Sequence, residues 1–176
     1  PLAARALRIP GEGALETLSL ALELEARGVD VVHLEIGEPD FSTPAHIVEA
    51  GIEAIRAGRT RYGPAPGTPD LRAAIAEHIA ATRQMPIDPA QVLVGPGGKP
   101  IIFFTILALV EPGDEVIIPN PGFPAYAGTV QFAGGTPISL PLRAENGFRV
   151  ESETLRALVT ERTKLLILNS PANPTG

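Results

Sequence analysis

From residue 91 onward the sequence alternates short apolar runs with helical stretches, and nothing else in the chain restricts its fold as much. Gln91–Val94 reads as strand, Gly95–Gly98 as a glycine turn, Ile101–Val110 as helix and Glu115–Ile118 as strand. Phe123–Phe132 then reads as helix, Thr136–Leu140 as strand, Ser152–Thr160 as helix and Lys164–Leu168 as strand. Apolar strands separated by helices run in the same direction and are covered on both faces, so the pattern predicts an α/β fold with a mainly parallel sheet.

The first half reads differently. Gly11–Arg27 has apolar positions at helical spacing with Gly28 as a stop, and Val29–Ile36 alternates as a short extended segment. Gly37-Glu38-Pro39-Asp40-Phe41 is too rich in breakers to continue it. Thr43-Pro44 reads as an N-cap with a first-turn proline ahead of a helix over His46–Ala57, ended by Gly58. Thr68-Pro69 repeats the device ahead of a helix over Asp70–Thr82, with Leu71, Ile75 and Ile79 on one face. Pro86–Pro89 marks a boundary between this region and the α/β segment.

Composition narrows the function classes. A net charge of -6 with no Lys/Arg block argues against nucleic acid or an anionic membrane as partner, leaving small polar substrates. The absence of cysteine removes disulfides, thiolate metal sites and cysteine nucleophiles, and fits a reducing compartment, so a cytoplasmic location is expected. The longest apolar run, Pro100–Val110, is too short to cross a bilayer. His33, His46 and His78 lack metal-ligand spacing, so no metal site is expected, and no pair of carboxylates stands out as acid and base. The start at Pro1 and the end inside a motif lead us to expect truncation at both ends.

Several loops carry residues suited to an anionic cofactor. Gly95-Pro96-Gly97-Gly98-Lys99-Pro100 follows a strand and opens an apolar helix, so backbone N–H groups and the helix dipole converge on a spot that suits a phosphate. The same residues also serve as a plain strand-to-helix turn. They are not a Walker A loop, because Pro100 stands where a Ser or Thr would hold magnesium. Pro119-Asn120-Pro121-Gly122-Phe123-Pro124-Ala125-Tyr126 closes the next strand, and Asn169-Ser170-Pro171-Ala172-Asn173-Pro174-Thr175-Gly176 follows the last one. Strand ends of this kind are where ligands meet α/β sheets.

These motifs, with Arg61-Tyr62-Gly63-Pro64-Ala65-Pro66-Gly67, Leu71-Arg72 and Ile36-Gly37-Glu38-Pro39-Asp40-Phe41 upstream, stand in an order that resembles the class I/II aminotransferases. Those are aspartate aminotransferase-like enzymes of the fold-type I group that depends on pyridoxal 5'-phosphate (PLP). The likeness runs from about Ala14 to Gly176 and implies the N-terminal half only. It implies an arm and small-domain portion over 1–45, then an incomplete PLP-binding large domain over 46–176, a three-layer αβα sandwich. In the resemblance Gly98 and Lys99 match the pair that holds the PLP phosphate, Phe123 the aromatic residue stacked on the pyridine ring, and Asn173 the asparagine facing the cofactor's phenolic oxygen. Tyr62 matches the tyrosine that reaches the phosphate of the neighbouring subunit in a homodimer, and Gly37 the glycine that presents backbone to the substrate carboxylate. Phe123 departs from the Tyr or Trp common there, keeping the stack but losing a polar handle.

Lys99 grips the phosphate end in this reading and cannot also reach the aldehyde, and Lys164 precedes a strand, at the sheet edge away from the ligand. The Schiff-base lysine is therefore expected beyond Gly176. The implied activity is transfer of an amino group between an amino acid and a 2-oxo acid, with this chain alone inactive. A PLP-dependent lyase or synthase of the same fold, or a non-catalytic PLP-binding sensor domain, are the alternatives. The family's strand order places the absent strands between the first and the fourth, which implies an interrupted sheet with exposed edges.

Overall fold

The structure, a computed structural model, describes residues 2–3, 6 and 13–176. The expected helix start at Gly11 lies outside the described residues. These residues divide into two compact units, one of Leu24–Pro96 and one of Gly97–Gly176 with the residues up to Glu23.

The larger unit is built on a three-stranded parallel sheet of β1 (Glu115–Asn120), β2 (Thr136–Pro141) and β3 (Thr163–Leu166), in the order β2-β1-β3. Glu115 pairs with Thr136 in β2 and, on the other side, with Thr163 in β3. Successive residues of β1 face opposite ways, and both faces are apolar. Val116 packs with Val130, Ile106 and Val110 under α4 (Gly98–Leu109) and α5 (Ala125–Ala133). Ile117 packs with Leu140 and Leu142 against Leu155 and Leu158 of α6 (Ser152–Leu158). The result is the expected αβα arrangement. Val116, Ile117, Val130 and Leu140 have no measurable exposure, and each such buried side chain stabilises the unit by roughly 1.5–3 kcal/mol.

The amino edge of the sheet is closed by a polar staple. Glu115, only 6% exposed, accepts from Thr160 Oγ1 at 2.6 Å and from Arg162 Nε at 2.9 Å, with a further contact to Arg162 Nη2. Its own N–H donates to the Arg162 carbonyl at 2.8 Å. The pairing slips by one residue between Glu115 and Val116, leaving Lys164 extra in β3 and exposed at this edge.

The smaller unit holds α2 (Ala45–Arg56) and α3 (Pro69–Arg83). Among its buried side chains are Ala76 of α3 and Val92. Helix α1 (Gly13–Glu25) precedes them in the chain. Four expectations need correction. Thr43 is not the N-cap of α2: Pro44 takes that place, because its ψ of 138 lies outside the helical region and the first helical residue is Ala45. Gln91–Val94 is not a strand; Pro89–Gln91 form a 3-10 turn in a capping box with Asp88, and the Val94 N–H donates to the Pro66 carbonyl instead of to a ladder partner. Leu71 does not join Ile75 and Ile79 on a covered face, being 45% exposed. Val29–Ile36 forms no strand, and its exposure does not alternate: Val32, His33 and Leu34 are exposed in succession, with Val31 and Glu35 half-buried.

Candidate active site

In the larger unit the carboxyl ends of β1 and β3 are neighbours, so the loops that follow them share one edge of the sheet. The β1 loop turns at Gly122, where a Cβ would collide with the Pro119 carbonyl oxygen; glycine is required there by the closeness of the backbone. This turn delivers Phe123, whose ring meets Tyr126 edge-to-face at 5.7 Å and 83°. Tyr126 is buried at 6% exposure in the first turn of α5 and thereby fixes the ring of Phe123.

The start of α4 lies against the same ring. Lys99, the second residue of α4, holds its Nζ 5.7 Å from the Phe123 centroid, a cation–π contact worth roughly 0.5–1 kcal/mol at an exposed position. Gly97 is the N-cap, at φ 89, and no side chain caps the helix. A Cβ at Gly97 or Gly98 would meet nothing within 4 Å, so the approach to the first turn of α4 is open. An anion fits this place: N–H groups at a helix start, a positive helix end and an ammonium group lie together. The ring beside them offers a flat face, and a cavity of about 270 Å³ is lined by Ile101, Tyr126 and Leu166–Leu168. A phosphate joined to a planar ring matches that donor set.

Asn173 stands exposed on the loop after β3, at this same edge, within a stretch where Ser170-Pro171 and Asn173-Pro174 are cis and the Gly176 N–H donates to the Ala172 carbonyl at 2.7 Å. Lys164 is at the opposite, amino edge. Thus the structure brings Lys99 and Phe123 into contact at the carboxyl edge, with Gly98 beside Lys99 and Asn173 on the neighbouring loop.

Tyr62 and Gly37 belong to the smaller unit. Tyr62 is fully exposed on the loop between α2 and α3. Gly37 is exposed, and a Cβ there would meet nothing within 4 Å. Just ahead of it His33 is clasped by two carboxylates, Nδ1 with Glu35 at 2.6 Å and Nε2 with Glu25 at 3.0 Å. The hydrogen bond with Glu35, then that with Glu25, raises the His33 pKa above its ordinary value, while the same imidazole lowers that of Glu35. Sequence spacing did not reveal this cluster, since Glu25 lies eight residues from His33. Nor did it reveal the parts of Tyr126 and Gly122, which show only as members of a loop motif.

The family model for aminotransferase class I and II matches residues 29–176. The chain belongs to this aminotransferase family. An aspartate/prephenate aminotransferase from Cereibacter sphaeroides is 46% identical over 169 residues, which is 96% of this chain and 42% of that protein. Among solved structures, an aspartate aminotransferase from Thermus thermophilus with maleate superposes with a TM-score of 0.93 and 39% identity, over 99% of this chain and 46% of that one. An alanine aminotransferase from Pyrococcus furiosus superposes with a TM-score of 0.95 and 34% identity, over 99% of this chain and 45% of that one. The chain therefore spans less than half the length of these aminotransferase relatives. Membership of the family implies dependence on pyridoxal phosphate. No helix among the described residues is long and apolar enough to cross a membrane.

Proposed function

We propose that this chain supplies much of the cofactor-binding surface of a pyridoxal phosphate-dependent aminotransferase that moves an amino group between an amino acid and a 2-oxo acid. The observation that carries the reading is the contact of Lys99, at the open start of α4, with the ring of Phe123, 5.7 Å away. It joins an anion site to a stacking surface. When bound, pyridoxal phosphate acts as an electron sink that carries the amino group from one substrate to the other.

In this reading the Gly98 and Lys99 amides hold the phosphate, each charge-assisted bond contributing roughly 1.5–3 kcal/mol. Phe123 stacks on the pyridine ring and Asn173 donates to the phenolic oxygen, where a neutral donor stabilises negative charge. Tyr62 reaches the phosphate held by the neighbouring subunit of a homodimer, and Gly37 offers backbone to the substrate carboxylate. The lysine that exchanges with the substrate amine lies outside these residues, since Lys99 is committed to the phosphate end and Lys164 stands at the opposite sheet edge. The division into an arm and small-domain portion over 1–45 and a large-domain portion over 46–176, and a cytoplasmic setting, belong to the same reading. Aspartate, which the names of several relatives carry, is the first amino donor to try.

The test is a titration of the full-length protein with pyridoxal phosphate, followed by absorbance, and then amino transfer from aspartate to 2-oxoglutarate. The reading requires a saturable absorbance change and a bleached cofactor band on adding the amino acid. Absence of cofactor binding would refute it, and elimination products in place of a new amino acid would move it to the lyases.

A further inference from the structure

We infer that Arg72 is a positioning residue that locks the loop carrying Tyr62 onto the 92–94 segment and so sets where Tyr62 is held. The inference rests on the pyridoxal phosphate reading above.

Arg72 sits in the first turn of α3, half-buried, and its Nε donates to the Val92 carbonyl at 2.9 Å. A guanidinium on a carbonyl makes a charge-assisted bond, stronger than the neutral bonds of an ordinary turn. Two residues further on, the Val94 N–H donates to the Pro66 carbonyl at 3.0 Å. Between these two bonds lies Gly67, at φ +104, with the Val94 Cβ and Cγ2 each 2.9 Å from where its own Cβ would stand. No L side chain fits that position without moving Val94, so loop and segment are in full contact at this point. The Gly67 N–H also donates to the Pro64 carbonyl at 2.9 Å, which closes the loop that carries Tyr62.

The 92–94 segment has no strand partner among the described residues to hold its direction, so these contacts set it. An error of direction at Val92 is thus carried into the Tyr62 loop. With Tyr62 serving the neighbouring subunit's phosphate, the junction bears on the phosphate end of the cofactor and not on its ring. A lysine at position 72 cannot reproduce it fully, because the donor is the Nε inside a rigid planar fork.

The test compares affinity for pyridoxal phosphate with affinity for pyridoxal, which lacks the phosphate, in the full-length wild type and in R72M, whose apolar stem preserves the packing. Amide exchange at Val94 is followed in parallel. The expected result is that R72M weakens pyridoxal phosphate binding by about fivefold, the worth of one ordinary hydrogen bond, and leaves pyridoxal binding within about twofold. The Val94 amide then exchanges faster, and R72K recovers part of the loss. Should R72M not yield folded protein, R72K is read by the same ratio. Equal weakening of both ligands, or of neither, overturns the inference and leaves Arg72 a structural residue. Failure of the wild type to bind pyridoxal phosphate overturns the underlying reading instead, and this inference with it.

Discussion

Substituting Phe123 with alanine removes both the ring beneath Lys99 and the edge-to-face partner of Tyr126. An aromatic stack contributes about 0.5–1.5 kcal/mol beyond its area, so F123A is expected to weaken pyridoxal phosphate binding by about 2- to 10-fold at little cost in stability. F123W is expected to preserve or tighten binding; an absorbance titration of the full-length variants reads both. His33 gives a second residue-level prediction. Its folded pKa is raised above 6.5 by Glu35 and Glu25, so the clasp is fully formed below 6.5 and is lost as pH rises through the folded value. A proton NMR titration of the imidazole is expected to show a midpoint above 6.5, moved back towards it by E35Q; a midpoint at or below 6.5 in the wild type contradicts the clasp. At this scale the sequence showed which loops carry Lys99 and Phe123, because each belongs to a loop motif. It was unreadable where a partner is distant along the chain, as with Glu25 and His33 or Arg72 and Val92.

The sheet shows what regular elements add. Its strands were legible because each is an apolar run between turn signals, and β1, β2 and β3 fall close to the expected places. Gln91–Val94 carries the same signal yet is no strand, because strand character needs a ladder partner and this segment spends its bonds on Pro66 and Arg72. The staple at the amino end of β1 was invisible, since Thr160 and Arg162 stand 45 and 47 residues from Glu115. Hydrogen bonds from Thr160, then from Arg162, lower the pKa of Glu115 below its ordinary 4.5. Its contribution is therefore present above 4.5 and lost as pH falls through the folded value. In the full-length protein R162M, which leaves the buried carboxylate poorly partnered, is expected to lower the melting temperature at pH 7, with the deficit shrinking as Glu115 is protonated. A deficit that is the same at pH 7 and pH 3 would mean that Arg162 acts by packing alone.

For the whole molecule, the decisive fact is how much apolar surface the described residues leave open. Phe104 on α4 is 64% exposed, Leu34 is 89%, Phe41 is 86% and Leu168, just past β3, is 63%. Helix α4 is apolar on all sides, the pattern of a helix covered all round, yet only one side of it packs here. With β3 and β2 at the edges of a three-stranded sheet, the 176-residue chain on its own is expected to bind the dye ANS and to unfold without a cooperative transition, whereas the full-length protein unfolds sharply. A single cooperative transition from the isolated chain would contradict this. The proposed function rests on a division of labour, in which these residues would hold the phosphate and the ring and the lysine that reacts with the cofactor would lie elsewhere. The most direct test is to load the full-length protein with pyridoxal phosphate, reduce it with borohydride and map the modified peptide. The account predicts a pyridoxyl group on a lysine outside these residues; a pyridoxyl group on Lys99 or Lys164, or none at all, would contradict it.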